Sequence, residues 1–202
     1  MKFVVLAAEK DWEIISENDY VEWERVFTFE AFLLVKDATA YFNFMEDACN
    51  QNYMSITKPV FLNSVVTTLA QIQKNENCIR FNGWQGFAEK PMWEIAGNTN
   101  EANAMLLKAI GKTFMAVEDI AGFVSARVIA MIVNEAYFAI EDAVSTKAEI
   151  DIAMKLGTNY PFGPFEWAEK IGLENVYNLL ETMALENDKY TPALTMKKEL
   201  NK

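Results

Sequence analysis

The chain is 202 residues long, 51% apolar and 23% charged, with a formal net charge of −11 and no histidine. That apolar share can bury the core of one large domain or two small ones, and an acidic balance with no Lys/Arg cluster argues against nucleic-acid binding. Without histidine the chain lacks the one side chain that ordinarily titrates near neutrality, and with only Cys49 and Cys78 as soft ligands it offers little to a transition metal.

The opening, MKFVVLAAEKDW, has neither the basic region nor the apolar length of an export signal, and no apolar run reaches the roughly 18 residues of a membrane span. A cytoplasmic protein with free, buried thiols is expected. Lys2–Ala8 is an apolar run of strand length, and Trp23–Phe27 is a second. Phe29–Lys36 has helical spacing, whereas Ala40–Met45 is aromatic and strand-like. Pro59–Val66, Cys78–Asn82, Met92–Ala96 and Lys112–Val117 complete the short strands. Asn98 is the candidate cap of a helix over Glu101–Ile110, which Gly111 ends. Strand and helix in alternation predict a mainly parallel sheet with helices packed on it.

From Gly122 the period changes. Phe123, Val124, Val128, Ile129, Ile132, Val133, Ala136, Tyr137 and Ile140 form a helical stripe. Thr146 and Glu149 make a capping box, Pro164 stands at a helix start with Gly172 at its end, and Leu173, Val176, Tyr177, Leu180 and Met183 mark a further amphipathic helix. The organisation read from this is residues 1–119 as a sheet domain and 120–202 as a helical one, without a flexible linker. The helix over 122–143 is apolar on more than one side, and three further helices at most follow residue 145. A homodimer through 122–143 is therefore expected.

The segment DIAMKLGTNYPFGPFEWAEKIGLENV, residues 151–176, resembles the signature of the helical C-terminal domain of the 3-hydroxyacyl-CoA dehydrogenases. Its glycines and prolines explain themselves locally: Gly157 allows a helix stop, and Pro161 and Pro164 fix φ on either side of a turn through Gly163. Residues 108–136 resemble the family's last Rossmann strand passing into a long helix. Residues 59–72 (PVFLNSVVTTLAQI) resemble the segment with an S-N-T-S-S motif, and 78–97 (CIRFNGWQGFAEKPMWEIAG) resembles the segment of the catalytic His-Glu pair. The resemblance implies an α/β plus all-α chain: a reduced Rossmann-like, mainly parallel sheet domain, then a phosphogluconate-dehydrogenase-like helical domain that usually pairs two subunits.

It also implies residues that this chain lacks. Family members bind NAD through a G-x-G-x-x-G turn after the first strand, where glycines let amides approach the pyrophosphate. Here the first glycine is Gly83, and Glu9 and Asp11 follow the first strand. No NAD binding is expected, and P-loops are excluded on the same ground. The family's general base is a histidine oriented by a glutamate. Glu94 keeps the glutamate, and the histidine position falls on Asn82. The motif's substrate-touching serine falls near Val65, beside Ser64, and Ala126 replaces an asparagine next to a retained Arg127.

Several of these residues have a plainer reading beside the functional one. Glu94 is a surface residue by a strand or a relic pocket carboxylate. Arg127 pairs with a carboxylate or touches a substrate. Trp84 and Trp93 are core, fill vacant cofactor space, or stack on a flat ligand. For the whole chain the leading reading is a non-catalytic member of the family, holding an acyl-CoA or related thioester in a cleft between domains. The alternatives are an acyl-thioester enzyme with altered chemistry on Glu94 and Asn82, a working 3-hydroxyacyl-CoA oxidoreductase, and a pure interaction module.

Overall fold

Side chains alternate across the first strand, β1 (Lys2–Leu6): Phe3 and Val5 enter one apolar cluster, Val4 and Leu6 another. This period of two repeats along the strands and gives the sheet two buried faces, as a parallel sheet requires. The computed structural model describes residues 1–15, 21–46, 48–72 and 76–201. It divides into two compact units, Met1–Phe123 and Val124–Lys202.

In the first unit β1 is followed by α1 (Glu9–Ile15), β2 (Glu22–Val26), α2 (Phe29–Leu34), β3 (Ala40–Asn43), β4 (Val60–Asn63), β5 (Cys78–Phe81), β6 (Met92–Gly97), α3 (Glu101–Ala109) and β7 (Thr113–Ala116). The strands form one seven-stranded sheet in the order β2-β1-β3-β4-β5-β6-β7. Every pairing is parallel except β5 with β6. On one face lie α1 and α3 with Phe3, Phe42, Phe61, Phe81 and Trp93; on the other lie α2 and the turn carrying Cys49, with Phe32, Tyr41, Leu62 and Cys78. The helices are short, and aromatic rings fill the first face instead: Phe42 stacks on Phe61 at 4.7 Å and Phe81 on Trp93 at 4.4 Å. Such pairs add about 1 kcal/mol each beyond the area they bury. Neither cysteine forms a disulfide, both are buried, and burial pushes the thiol pKa of Cys78 up to about 12.

The structure corrects three local expectations here. Helix α1 was not anticipated between the first two strands. The cap of α3 is Asn100, whose side chain accepts from the Asn103 amide, rather than Asn98. The long helix α4 spans Ser125–Glu141 and so starts after Gly122; Phe123 has φ +49°, which no helix admits.

The second unit contains α4, α5 (Lys147–Thr158), α6 (Pro164–Ile171), α7 (Leu173–Ala184) and α8 (Leu194–Leu200). Among the described residues four α-helices therefore follow residue 145, not three. Helix α4 is the spine of this unit: Ala126, Ile129, Ala130, Val133, Ala136 and Tyr137 are buried, and α6, α7 and α8 pack around it. Asn134, also buried, donates to the Thr191 carbonyl at 2.9 Å and accepts from the Ala193 amide at 2.9 Å, which fixes the approach to α8. Gly157 lies inside α5, and the left-handed residue that ends it is Asn159, φ +56°. The need for Gly163 is steric. Asp151 of α5 caps α6 by accepting from the Phe165 amide at 2.8 Å, and a Cβ on Gly163 would stand 2.2 Å from that carboxylate. No helix among the described residues is long and apolar enough to cross a membrane.

The charge of Arg80 lies wholly inside the first unit. The side chain of Arg80 on β5 is fully buried. It donates from Nε to the Ser64 carbonyl at 2.9 Å and from Nη2 to the Val65 carbonyl at 3.2 Å, and it pairs with Asp119. Its guanidinium lies 4.7 Å from the Phe123 ring centre. Asp119 in turn accepts from the Leu69 and Ala70 amides at 3.1 and 3.0 Å. Removing one member of such a pair strands the other, whereas removing both does not. Asp119→Ala is expected to cost about 3 kcal/mol in denaturant unfolding. The double variant with Arg80→Met is expected to cost clearly less than the two single losses added; simple additivity would contradict the pairing.

Candidate functional site

The carboxyl ends of three neighbouring parallel strands carry asparagines. Asn43 ends β3, Asn63 ends β4 and Asn82 follows β5, all three buried. An amide left unpaired in such a place costs about 1–3 kcal/mol, and its donor and acceptor together tie two segments. Asn43 donates to the Tyr53 hydroxyl at 2.8 Å and accepts from the Met45 amide at 3.0 Å. Asn63 donates to the Phe44 carbonyl at 3.0 Å and accepts from the Gly83 amide at 3.1 Å. That contact leaves no room beside it: a Cβ on Gly83 would sit 2.4 Å from Asn63 Cγ. The side chain of Asn82 donates to Glu94 Oε2 at 3.2 Å, and its own amide donates to the Glu94 carbonyl at 3.2 Å.

Glu94 is half-buried, on β6, the antiparallel neighbour of β5. The sequence-predicted pair Asn82 and Glu94 is thus brought together. The loop between them, residues 83–91, is held from below. Lys112 is buried and its ammonium bonds the Ala88 and Lys90 carbonyls, both at 3.0 Å, and burial lowers its pKa. The Trp93 indole donates to the Ala88 carbonyl at 2.9 Å. Trp93, stacked on Phe81, and Trp84 are both buried, as core residues are.

Ser64 is buried directly after β4, and its hydroxyl donates to the Thr67 carbonyl at 2.8 Å. Its own carbonyl is held by Arg80, so the Arg80 anchor and the Asn63–Gly83 contact set the strand ends around it. Ala126 and Arg127 belong to the second unit. Ala126 is fully buried in the α4 core, and Arg127 donates to the Tyr190 hydroxyl at 3.1 Å with its guanidinium 5.2 Å from that ring. Sequence reasoning missed Asn43, Asn63, Arg80 and Lys112. The signal available was an asparagine at each strand end and a lone basic residue in an apolar run.

A dinucleotide's place in such a fold is the turn after β1, and the residues there do not fit one. The chain passes from Leu6 through Ala7 and Ala8 straight into α1, with the Trp12 amide donating to the Ala8 carbonyl at 3.0 Å. No residue of this turn has a positive φ. The first turn of α1 presents Glu9 and Asp11, where a pyrophosphate would need bare amides.

Residues 122–202 match the family model for the 3-hydroxyacyl-CoA dehydrogenase C-terminal domain. A 3-hydroxybutyryl-CoA dehydrogenase from Clostridioides difficile is 30% identical over 161 residues, 74% of this chain and 56% of that protein. A probable 3-hydroxybutyryl-CoA dehydrogenase from Bacillus subtilis is 37% identical over 106 residues, 50% of this chain and 37% of that protein. The chain thus spans only 37% to 56% of the length of these two relatives. The fold is similar to the crystal structure of (S)-3-hydroxybutyryl-CoA dehydrogenase from Ralstonia eutropha, with a TM-score of 0.67 at 19% identity, covering 90% of this chain and 70% of that one. The helical signature, the strand order and these relatives together place the chain in the 3-hydroxyacyl-CoA dehydrogenase family.

Proposed function

We propose that this chain is a 3-hydroxyacyl-CoA dehydrogenase homologue that binds an acyl-CoA or related thioester without oxidising or reducing it. The Asn82–Glu94 contact carries the reading. Oxidising a secondary alcohol needs a group that takes the hydroxyl proton as hydride leaves, with a pKa near the working pH. An amide cannot take that proton, and the chain has no histidine to supply instead. An amide can donate an N–H to a ligand carbonyl, with Glu94 orienting it, so a 3-oxoacyl thioester suits the pair better than a 3-hydroxy one. Calorimetric titration with acetoacetyl-CoA is expected to show saturable binding, weakened about tenfold by Asn82→Ala, the worth of one hydrogen bond. No binding at millimolar ligand, or binding untouched by that substitution, would remove the thioester from the proposal.

The same reading includes a homodimer through the helical unit. Val124 just before α4 and Val128 and Phe138 on it remain exposed within one chain, and α5 buries none of its residues although it carries Ile152 and Leu156. A two-fold pair would cover the same patch on both subunits. Light scattering at micromolar concentration is expected to give twice the chain mass and Phe138→Glu to shift it toward the single mass. A monomer in the wild type would rule the pairing out.

A further inference from the structure

The strand order reverses at β1: the chain goes from β1 to β2 on one side and returns past it to β3 on the other. In open α/β sheets the crevice outside the carboxyl ends at such a reversal is where a ligand enters. At the same end of β1, on the side of β2, the turn is occupied by a side chain of the protein itself. Arg25, paired in register with Val5 across β2 and β1, reaches over the end of β1. Its Nη1 donates to Glu9 Oε2 at 2.7 Å and its Nη2 to the Ala7 carbonyl at 3.2 Å. The guanidinium carbon lies 5.3 Å from the Trp12 ring centre and 4.9 Å from that of Phe27. The side chain is 15% exposed, against 74% for Glu9. One fork thus touches all three elements of the first strand–helix–strand unit: the end of β1, the first turns of α1 and the end of β2.

We propose that Arg25 is an internal cation that holds β1, α1 and β2 together and occupies the turn after β1 that a dinucleotide would need, in place of a bound ligand. Three observations converge on it. The fork geometry suits two acceptors at fixed separation while the guanidinium lies against two aromatic rings, a combination a planar guanidinium serves better than an ammonium. The acceptors it satisfies, a carbonyl and a carboxylate, present negative ends where a pyrophosphate would have to lie. The surroundings have the same sign: Asp11 is raised first by burial, and Glu46 and Glu89 raise it further against the lowering by Lys10. The inference concerns a different place from the Asn82–Glu94 pair and does not rest on how that pair is read.

The test uses the full chain with hydrogen exchange, melting temperature and NADH titration. In the wild type, NADH and inorganic pyrophosphate are expected to leave the melting temperature unchanged, because a ligand that binds only the folded state must raise it. Arg25→Ala is expected to speed exchange of the β1 and β2 amides by about tenfold or more while those of α4 and α7 stay as they were. Arg25→Lys is expected to recover less than half of that protection on a logarithmic scale, since a point charge cannot hold both acceptors. If Arg25→Ala does not fold, Glu9→Gln opens only the exposed end, with an expected rise of about threefold at the same amides. Saturable binding of NADH by the wild type would overturn the proposal, and so would unchanged β1 and β2 exchange in Arg25→Ala or, in its stead, in Glu9→Gln.

Discussion

A single buried guanidinium organises the first unit. Arg80 stands on β5 where the alternation of the strand would call for an apolar residue, and it converts the loss of one such residue into several attachments. It holds the carbonyls of Ser64 and Val65, pairs with Asp119 and lies against Phe123. The segment leaving β4 and the segment leaving β7 are thereby fixed to the same point of the sheet. The Gly122 amide adds a bond to the Val65 carbonyl at 2.8 Å, so the two segments also hold each other. The strand ends that carry Asn63, Ser64 and Asn82 inherit their positions from this anchor.

Much of this architecture was legible in the sequence, for identifiable reasons. Strands buried on both faces read as short apolar runs bounded by polar residues, so β1 and β3 to β5 are legible from Phe3, Phe42, Phe61, Phe81 and their neighbours, and β2 was legible from Trp23–Phe27. The 151–176 signature was readable because its glycine and prolines answer local sterics; the structure supplies the partner, Asp151, that makes Gly163 obligatory. Helix α1 was not readable. Seven residues give too few turns for a periodic stripe, and its acidic first turn looks like loop. Arg80 was missed because patterning rules assign a lone charge to the surface, and nothing local signals the carbonyls that will meet it. The asparagine row was missed because an asparagine at a strand end is the ordinary signature of a turn. Its meaning depends on strands adjacent in space and distant in sequence.

Two places in the first unit bear on the proposed loss of dehydrogenation in different physical ways. Beside β5 and β6 the side-chain amide of Asn82 is hydrogen-bonded to Glu94, and an amide cannot take the proton that oxidation of an alcohol releases. At the end of β1 the turn is recast, with alanines and two carboxylates where glycines would admit phosphate. Neither change compensates for the other, since one concerns a proton and the other a cofactor.

The most direct measurement is oxidation of 3-hydroxybutyryl-CoA with NAD, followed by NADH absorbance, for the wild type and for Asn82→His. The account predicts no NADH above the enzyme-free rate in either protein, because restoring a base leaves the crevice beside β1 unsuited to the dinucleotide. Saturable turnover by the wild type would contradict the central claim, and turnover by Asn82→His alone would show that the β1 turn accepts the cofactor after all.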